Sequence, residues 1–158
     1  MSIEKARQYL SLFGRDKDIM EFDVSSATVF LAAEALNVIP KRITKTLAFR
    51  KDKHAILIGM AGDAKIDNKK FKAEYGLKAK MLTPEETLEL IGHPVGGVCS
   101  FGVPDEIESY VDISLKRFTT VFPACGSGNS AIELTCDELF TFTNSKKWVD
   151  VCKDWQEE

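Results

Sequence analysis

Residues 43–60, ITKTLAFRKDKHAILIGM, constrain the fold more than any other stretch. Two β-prone runs, 43–50 and 54–60, meet at the polar break RKDK and predict a hairpin. Read with period two, the first run sets Ile43, Lys45, Leu47 and Phe49 on one face and Thr44, Thr46 and Ala48 on the other. A lysine therefore stands in the middle of the more apolar face. Burying an ammonium without a partner is expensive. Either its stem packs while the amine snorkels to water, or it lines a pocket where a phosphate or a polarised carbonyl satisfies it.

The rest of the chain surrounds this hairpin with short elements. Ile3, Ala6, Leu10 and Phe13 predict a helix over 2–13 that Gly14 ends. DIMEFDV predicts a short strand. Hydroxyl residues suited to an N-cap open SSATVFLAAEALNVIP, which predicts a helix over 28–36. That helix is apolar almost all round and is expected to be well buried. DNKKFKAEYGL is a short basic helix closed by Gly76, and LTPEETLELIG is another, with Thr83 as N-cap, Pro84 at the first helical position and Gly92 after the end. YVDISL, FTTVFPA and AIELT are strands, CDELFTFT is a helix, and the tail from Lys146 is expected to form a further helix. Without repeats or linkers, residues 1–158 read as a single α+β domain with many short strands.

Composition excludes several classes. Hydrophobic residues make up 44% and charged residues 28%, which places the chain among globular proteins. No apolar run is long enough for a membrane span, and MSIEKARQYLSLFGRDKD lacks the apolar segment of a secretory signal. Cys99, Cys125, Cys136 and Cys152 form no CxxC pair and lie far in sequence from the histidines. No zinc site, other metal or cofactor is therefore expected, and free thiols in a reducing cytoplasm are the default. The net charge of −3 is unevenly spread. Residues 41–80 carry twelve Lys/Arg against four Asp/Glu, a local +8, and the remainder carries nine against twenty, a local −11. A basic third on an acidic body is either a phosphate-binding face or a set of solvated lysines.

Two glycine-rich stretches stand out. In GHPVGGVCSFG, Gly96, Gly97 and Gly102 allow close backbone approach and leave N–H groups free to donate; a bulged strand with a tight turn reads the same way. GSGNS, residues 126–130, is a turn. Cys99 and Cys125 flank these loops, so a thiolate nucleophile has to be weighed, although a small buried cysteine explains them equally. His93 fits a loop histidine better than a base. No Walker loop, nucleophile elbow or HExxH is present.

Taken in order, SATVFLAAEALNVIPKRITKTLAFR, GDAKIDNKKF, GHPVGGVCSFG, YVDISL and ACGSGNSAIELT resemble the YbaK/prolyl-tRNA synthetase-associated editing domain family across roughly residues 20–143. The resemblance implies a mixed, mostly antiparallel, partly closed β-sheet surrounded by helices. It also implies hydrolysis of the ester between a wrong amino acid and the 3′-terminal adenosine of a tRNA. Lys45 occupies the position of the family's characteristic active-site lysine, and the Gly96–Gly102 loop that of another wall of the site. Two departures stand out: Ser100 replaces a frequent proline in that loop, and GSGNS lacks a histidine that some members carry.

On this reading the chain is a trans-acting aminoacyl-tRNA deacylase for a small residue such as Cys, Ala or Ser, with tRNA(Pro) as the expected carrier. The alternatives are a non-catalytic tRNA- or synthetase-binding module, and a cysteine hydrolase using Cys99. Lys45 would hold a phosphate or ester oxygen. The helix before the lysine strand would supply a sieve from Thr28, Phe30 and Ala33, joined by Phe49. Gly96, Gly97, Val98, Cys99, Ser100, Phe101 and Gly102, with Ser127, Gly128 and Asn129, complete the substrate contacts, while Lys65, Lys69 and Lys70 would meet tRNA phosphates. The expected partners are the aminoacyl-tRNA acceptor end and an aminoacyl-tRNA synthetase.

Overall fold

The computed structural model describes residues 2–155; of the expected 1–158 domain, Met1 and residues 156–158 lie outside the described residues. The hairpin forms the centre. Strand β2 (Ile43–Lys51) pairs antiparallel with β3 (His54–Ala61) in an unbroken register from Thr44↔Ala61 to Lys51↔His54. Asp52 at the turn takes a left-handed φ of 54°, a conformation that Asp tolerates.

Around the hairpin, α1 (Ser2–Ser11) is followed by β1 (Met20–Glu21) and α2 (Val29–Leu36). β4 (Lys65–Ile66), α3 (Asn68–Tyr75) and α4 (Pro84–Ile91) follow the hairpin. Next come β5 (Glu108–Asp112), β6 (Thr120–Pro123), β7 (Ser130–Ala131), β8 (Leu134–Thr135) and α5 (Cys136–Phe142). β9 (Trp148–Val149) and β10 (Cys152–Lys153) end the described chain. The main sheet has the order β8-β6-β2-β3-β5-β9, and β1-β7 and β4-β10 form two small ribbons. The fold is the mixed α+β arrangement expected, and antiparallel pairs hold the larger share of the pairing. Within the main sheet, β2-β6, β3-β5 and β5-β9 run parallel.

Local chemistry explains the helix ends. The Thr28 hydroxyl accepts from the Leu31 N–H, and Asn37 closes α2 in the left-handed region. Thr83 and Glu86 form a reciprocal capping box, with Gly92 past the other end of α4. Thr135 and Glu138 do the same for α5.

Several expectations need correction. The helix α2 is not buried all round: Ala32 and Ala33 are buried, but Phe30 is 77% exposed and Leu31 40%. YVDISL leaves the sheet after Asp112 and turns into a short 3-10 helix, Ile113–Arg117. AIELT is divided between β7 and β8. The tail from Lys146 is not helical but forms β9 and β10. The fully buried Asp112 holds it there, accepting N–H bonds from Ser114 and Val151, each at 2.9 Å. Arg117 reinforces the lock, donating to both carboxylate oxygens of Asp63 (3.0 and 2.6 Å) and to the Trp155 carbonyl (3.0 Å). These contacts link distant residues, so local helix propensity yields to them.

The largest core cluster includes Phe49, Phe71, Phe101, Ile58 and Met60, and a smaller one joins Ala48, Leu57, Leu82 and Ile91. One gap in the sheet sets the site. β2 meets β6 only at Ile43↔Phe122 and Thr44↔Pro123, and at its far end a bridge joins Phe49 to Met81. Between these two pairings the edge of β2 has no neighbouring strand.

Candidate functional site

A cavity of about 210 Å³ opens at this gap. Its lining comes from Thr44–Ala48 of β2, from Ser26–Val29 leading into α2, from Met81 and Leu82, and from Val95, Gly96 and Val98 of the glycine-rich loop. Ala124, Ser130 and Ala131 close the remaining side.

Lys45 is half-buried in this wall and forms no hydrogen bond or ion pair among the described residues. Burial lowers its pKa below the ordinary lysine value, and the neighbouring Cys152 and Asp63 partly offset this. Its neighbours on the same face explain its position. Phe49, two same-face positions along, is 2% exposed and packs on Phe71 at 5.0 Å between ring centroids. That end of the face is sealed by α3, while the Lys45 end reaches the open edge.

Further polar atoms in the wall are also unmatched. The Ser26 and Thr44 hydroxyls are buried without a hydrogen-bond partner among the described residues, and both line the cavity. A native core rarely leaves such groups unsatisfied, so two beside an unpaired ammonium mark a place for ligand oxygens. Among the described residues, no Asp, Glu, His or Cys lines the cavity, and Lys45 is its one ionisable group. The site can bind and polarise, but it offers no side-chain base.

Of the residues expected from the sequence, the structure brings Lys45, Thr28, Gly96 and Val98 together in the lining. Phe30 points out to solvent, because its position on α2 turns away from the sheet. Ala33 is buried in a small cluster with Ala32, Ile43 and Phe122, behind the wall. Phe49 belongs to the core, as described. Gly97 supports the wall from outside: a Cβ there would lie 2.5 Å from the Ser127 nitrogen, so this glycine lets the two loops touch. Gly102, with φ 76°, packs instead on the Lys5 backbone.

Cys99 and Phe101 are buried in the main core, and Ser100 accepts a hydrogen bond from the Ser109 hydroxyl at 2.8 Å. Burial pushes the Cys99 thiol up to about 12, which removes it as a thiolate nucleophile near neutrality. Ser127, Gly128 and Asn129 bind other parts of the chain. Ser127 hydrogen-bonds Asn129 and Ser130, the Gly128 carbonyl accepts from Ser26, and Asn129 donates to the Phe22 carbonyl. They hold the Ser26 segment and Ser130 in place and do not line the cavity. Lys65 and Lys69 are exposed, whereas Lys70 donates to Asp150 at 3.0 Å and to the Cys152 carbonyl at 3.3 Å.

The sequence reading missed Thr44, Thr46, Ser26, Met81 and Leu82. The two threonines flanking Lys45 carried a signal, since a hydroxyl on each side of an anomalous lysine is an unusual strand composition. Met81 and Leu82 carried none, because their approach to β2 depends on where α4 starts.

Residues 24–142 match the model of the aminoacyl-tRNA editing domain. The chain belongs to the aminoacyl-tRNA editing domain family. Among its relatives is the uncharacterized protein YwhH of Bacillus subtilis, 55% identical across 99% of this chain and 100% of that one. The proline–tRNA ligase of Kosmotoga olearia is 31% identical over 73% of this editing domain, which spans 21% of the ligase. In structure, the domain resembles a candidate trans-editing enzyme for prolyl-tRNA synthetase, with a TM-score of 0.86 at 27% identity, over 96% of this chain and 97% of that chain. It also resembles the hypothetical protein APE2540, with a TM-score of 0.83 at 26% identity, over 94% and 99% of the two chains. Among the described residues, no helix is long and apolar enough to cross a membrane.

Proposed function

We propose that this editing domain is a free-standing cytoplasmic deacylase that hydrolyses the ester of a mischarged tRNA, with tRNA(Pro) carrying a small amino acid as its substrate. The observation that carries the reading is Lys45, a half-buried ammonium that, among the described residues, has no hydrogen-bond or ion-pair partner and lines a cavity without an acid or base. An aminoacyl ester is already activated. A positioned water and a stabilised oxygen are enough for its hydrolysis, so the missing base is no obstacle. Lys45 is assigned to the ester or terminal ribose oxygens, where its charge is satisfied.

The cavity volume admits a small amino acid without selecting it by size. At roughly 30 Å³ per water, it has room for about seven water-sized groups. An alanyl, seryl or cysteinyl group fits within that, and the nucleoside must remain outside. Size alone discriminates weakly, at about 1–3 kcal/mol per methylene, so Ala, Ser and Cys stand together. Phe30, exposed beside the lining residues Thr28 and Val29, offers a face on which the terminal base can stack. Lys65 and Lys69 are assigned to acceptor-stem phosphates, and a prolyl-tRNA synthetase is the natural partner.

The test is a deacylation panel of alanyl, seryl, cysteinyl, threonyl and prolyl esters on tRNA(Pro) and on an unrelated tRNA. Release of one or more small amino acids, with prolyl-tRNA spared, is expected. Tight tRNA binding with every ester left intact would replace the reading with a non-catalytic binding module.

A further inference from the structure

The backbone of β2 adds something that the side chains do not show. In a strand, successive residues direct their N–H and C=O groups to opposite edges. Lys51 and His54 close the two-residue hairpin turn, so Lys51, Phe49, Leu47 and Lys45 direct theirs to β3. The even residues face the other edge, as contacts outside the hairpin confirm. The Ala48 carbonyl accepts from the Leu82 N–H at 3.1 Å, and the Arg50 N–H donates to the Lys80 carbonyl at 2.8 Å. At the other end, Thr44 is paired with Pro123 of β6.

Thr46 lies between. Its N–H and C=O point to the same edge, where neither β6 nor the Met81 segment reaches, and neither group has a backbone or side-chain partner there among the described residues. Thr46 lines the cavity next to Lys45. One donor and one acceptor, spaced as in any β-bridge, are therefore presented to whatever occupies the site.

We propose that the aminoacyl group of the substrate docks on Thr46 as a one-residue β-bridge. The inference rests on the deacylase reading and adds the group that orients the ester. The α-ammonium of the substrate donates to the Thr46 carbonyl, and the ester carbonyl accepts from the Thr46 N–H. This matches the pair of bonds that two opposed residues exchange in an antiparallel ladder. When water attacks the carbonyl carbon, the new C–O bond places negative charge on the oxygen that the Thr46 N–H holds. Collapse breaks the bond to the ribose oxygen, which takes one proton of the water, and the amino acid leaves as its carboxylic acid, which gives the second proton to solvent and becomes the carboxylate. The bridge reads only the α-amino and carbonyl groups, so it recognises any aminoacyl ester. Choice among side chains is left to the apolar walls, Ala48, Leu82 and Val98.

The test replaces the Thr46 amide N–H by an ester oxygen through incorporation of an α-hydroxy acid, with Thr46→Val as the side-chain comparison. With the best substrate of the panel, the backbone ester is expected to lower kcat by about 100-fold or more, the usual effect of losing one oxyanion donor. Thr46→Val, which keeps the N–H, should lose at least tenfold less. The thermal midpoint of the backbone-ester protein should fall only slightly: this N–H holds nothing among the described residues, and the one other change is a weaker Lys45 carbonyl acceptor towards β3. Three results overturn the bridge: full activity of the backbone ester, equal losses in the two variants, or a midpoint lowered by several degrees. Failure of the unmodified protein to hydrolyse any ester would instead remove the deacylase reading, so the two failures are distinguishable.

Discussion

Two groups of buried or partly buried polar residues belong to the same sheet and its borders, and they differ in whether they are matched. Asp112 takes N–H bonds from Ser114 and Val151, and Arg117 is held by both oxygens of Asp63 and by the Trp155 carbonyl. Around the cavity, Lys45, Ser26 and Thr44 are buried or half-buried and have no hydrogen-bond or ion-pair partner among the described residues. The first group fastens the tail to the sheet. The second has the same kinds of atom and fastens nothing. A buried polar group with its partners present is structure, and one without them that also lines a cavity is open to a ligand.

The largest expected effect comes from breaking the matched group. Asp112→Ala leaves two buried N–H groups unsatisfied, at about 1–3 kcal/mol each. Urea unfolding should show a loss of about 2–6 kcal/mol, with β9 and β10 released first in hydrogen exchange. A loss below about 1 kcal/mol would mean that the tail does not depend on this carboxylate.

A smaller effect tests the junction of the two loops. His93 is fully buried, its Nε2 lies 2.7 Å from the Phe101 carbonyl, and its Nδ1 has no partner among the described residues. That carbonyl can only accept, so the ring carries its proton on Nε2. Burial lowers the His93 pKa below the ordinary 6.5; the bond to the Phe101 carbonyl opposes this in part, and Lys5 adds to the lowering. An unfolded His93 therefore binds a proton at higher pH than the folded one. Its stabilising contribution is complete above about pH 6.5 and is lost as pH falls below that value towards the folded pKa. The slope can reach at most about 1.4 kcal/mol per pH unit for one proton. Unfolding between pH 7.5 and 5.5 should show this dependence, and His93→Gln should flatten it. An identical slope in the variant would assign the acid sensitivity to other groups.

Comparable in size is the response of tRNA binding to charge reversal. Lys70 is tied to Asp150 and to the Cys152 carbonyl, so its reversal would disturb the β4–β10 ribbon as well as any phosphate. Lys69→Glu is the cleaner probe. Binding measured across salt concentrations should weaken alike for different tRNAs, and the slope should fall by about one counterion. An unchanged slope would return the basic segment to the role of a solvated face.

The smallest effect on stability belongs to the unmatched group. Thr44→Val replaces a partnerless hydroxyl with a methyl of the same shape, so the unfolding free energy should stay level or rise by up to about 1 kcal/mol. The KM for the ester substrate should rise. A clear loss of stability would mean that the hydroxyl already has a structural role.

How much of this was legible depended on the range of the contacts. The hairpin, the Thr83 capping box, the Gly76 and Gly92 stops and the anomaly of Lys45 all rest on residues close in sequence. The strand fate of the tail depends on Asp112, some 39 positions before Val151. The exclusion of Phe49 from the site depends on Phe71 covering it, and the open edge at Thr46 depends on β6 and Met81 both stopping short. Period two identified the Lys45 face correctly, but it could not show which end of that face would be covered. Phe30 failed for a related reason: the apolar content of α2 exceeds the area available against the sheet, so part of it faces water.

Lys45→Met provides the most direct test of the central claim, because methionine keeps much of the stem and removes only the unmatched charge. Deacylation of the best ester and the thermal midpoint should be measured on the same preparation. The expected result is a fall in kcat/KM of at least about tenfold, equivalent to about 1.4 kcal/mol of transition-state stabilisation, with a midpoint that is unchanged or higher. Unaltered turnover, or a protein that loses stability in step with its activity, would contradict the claim that Lys45 stands where it does for the sake of a ligand.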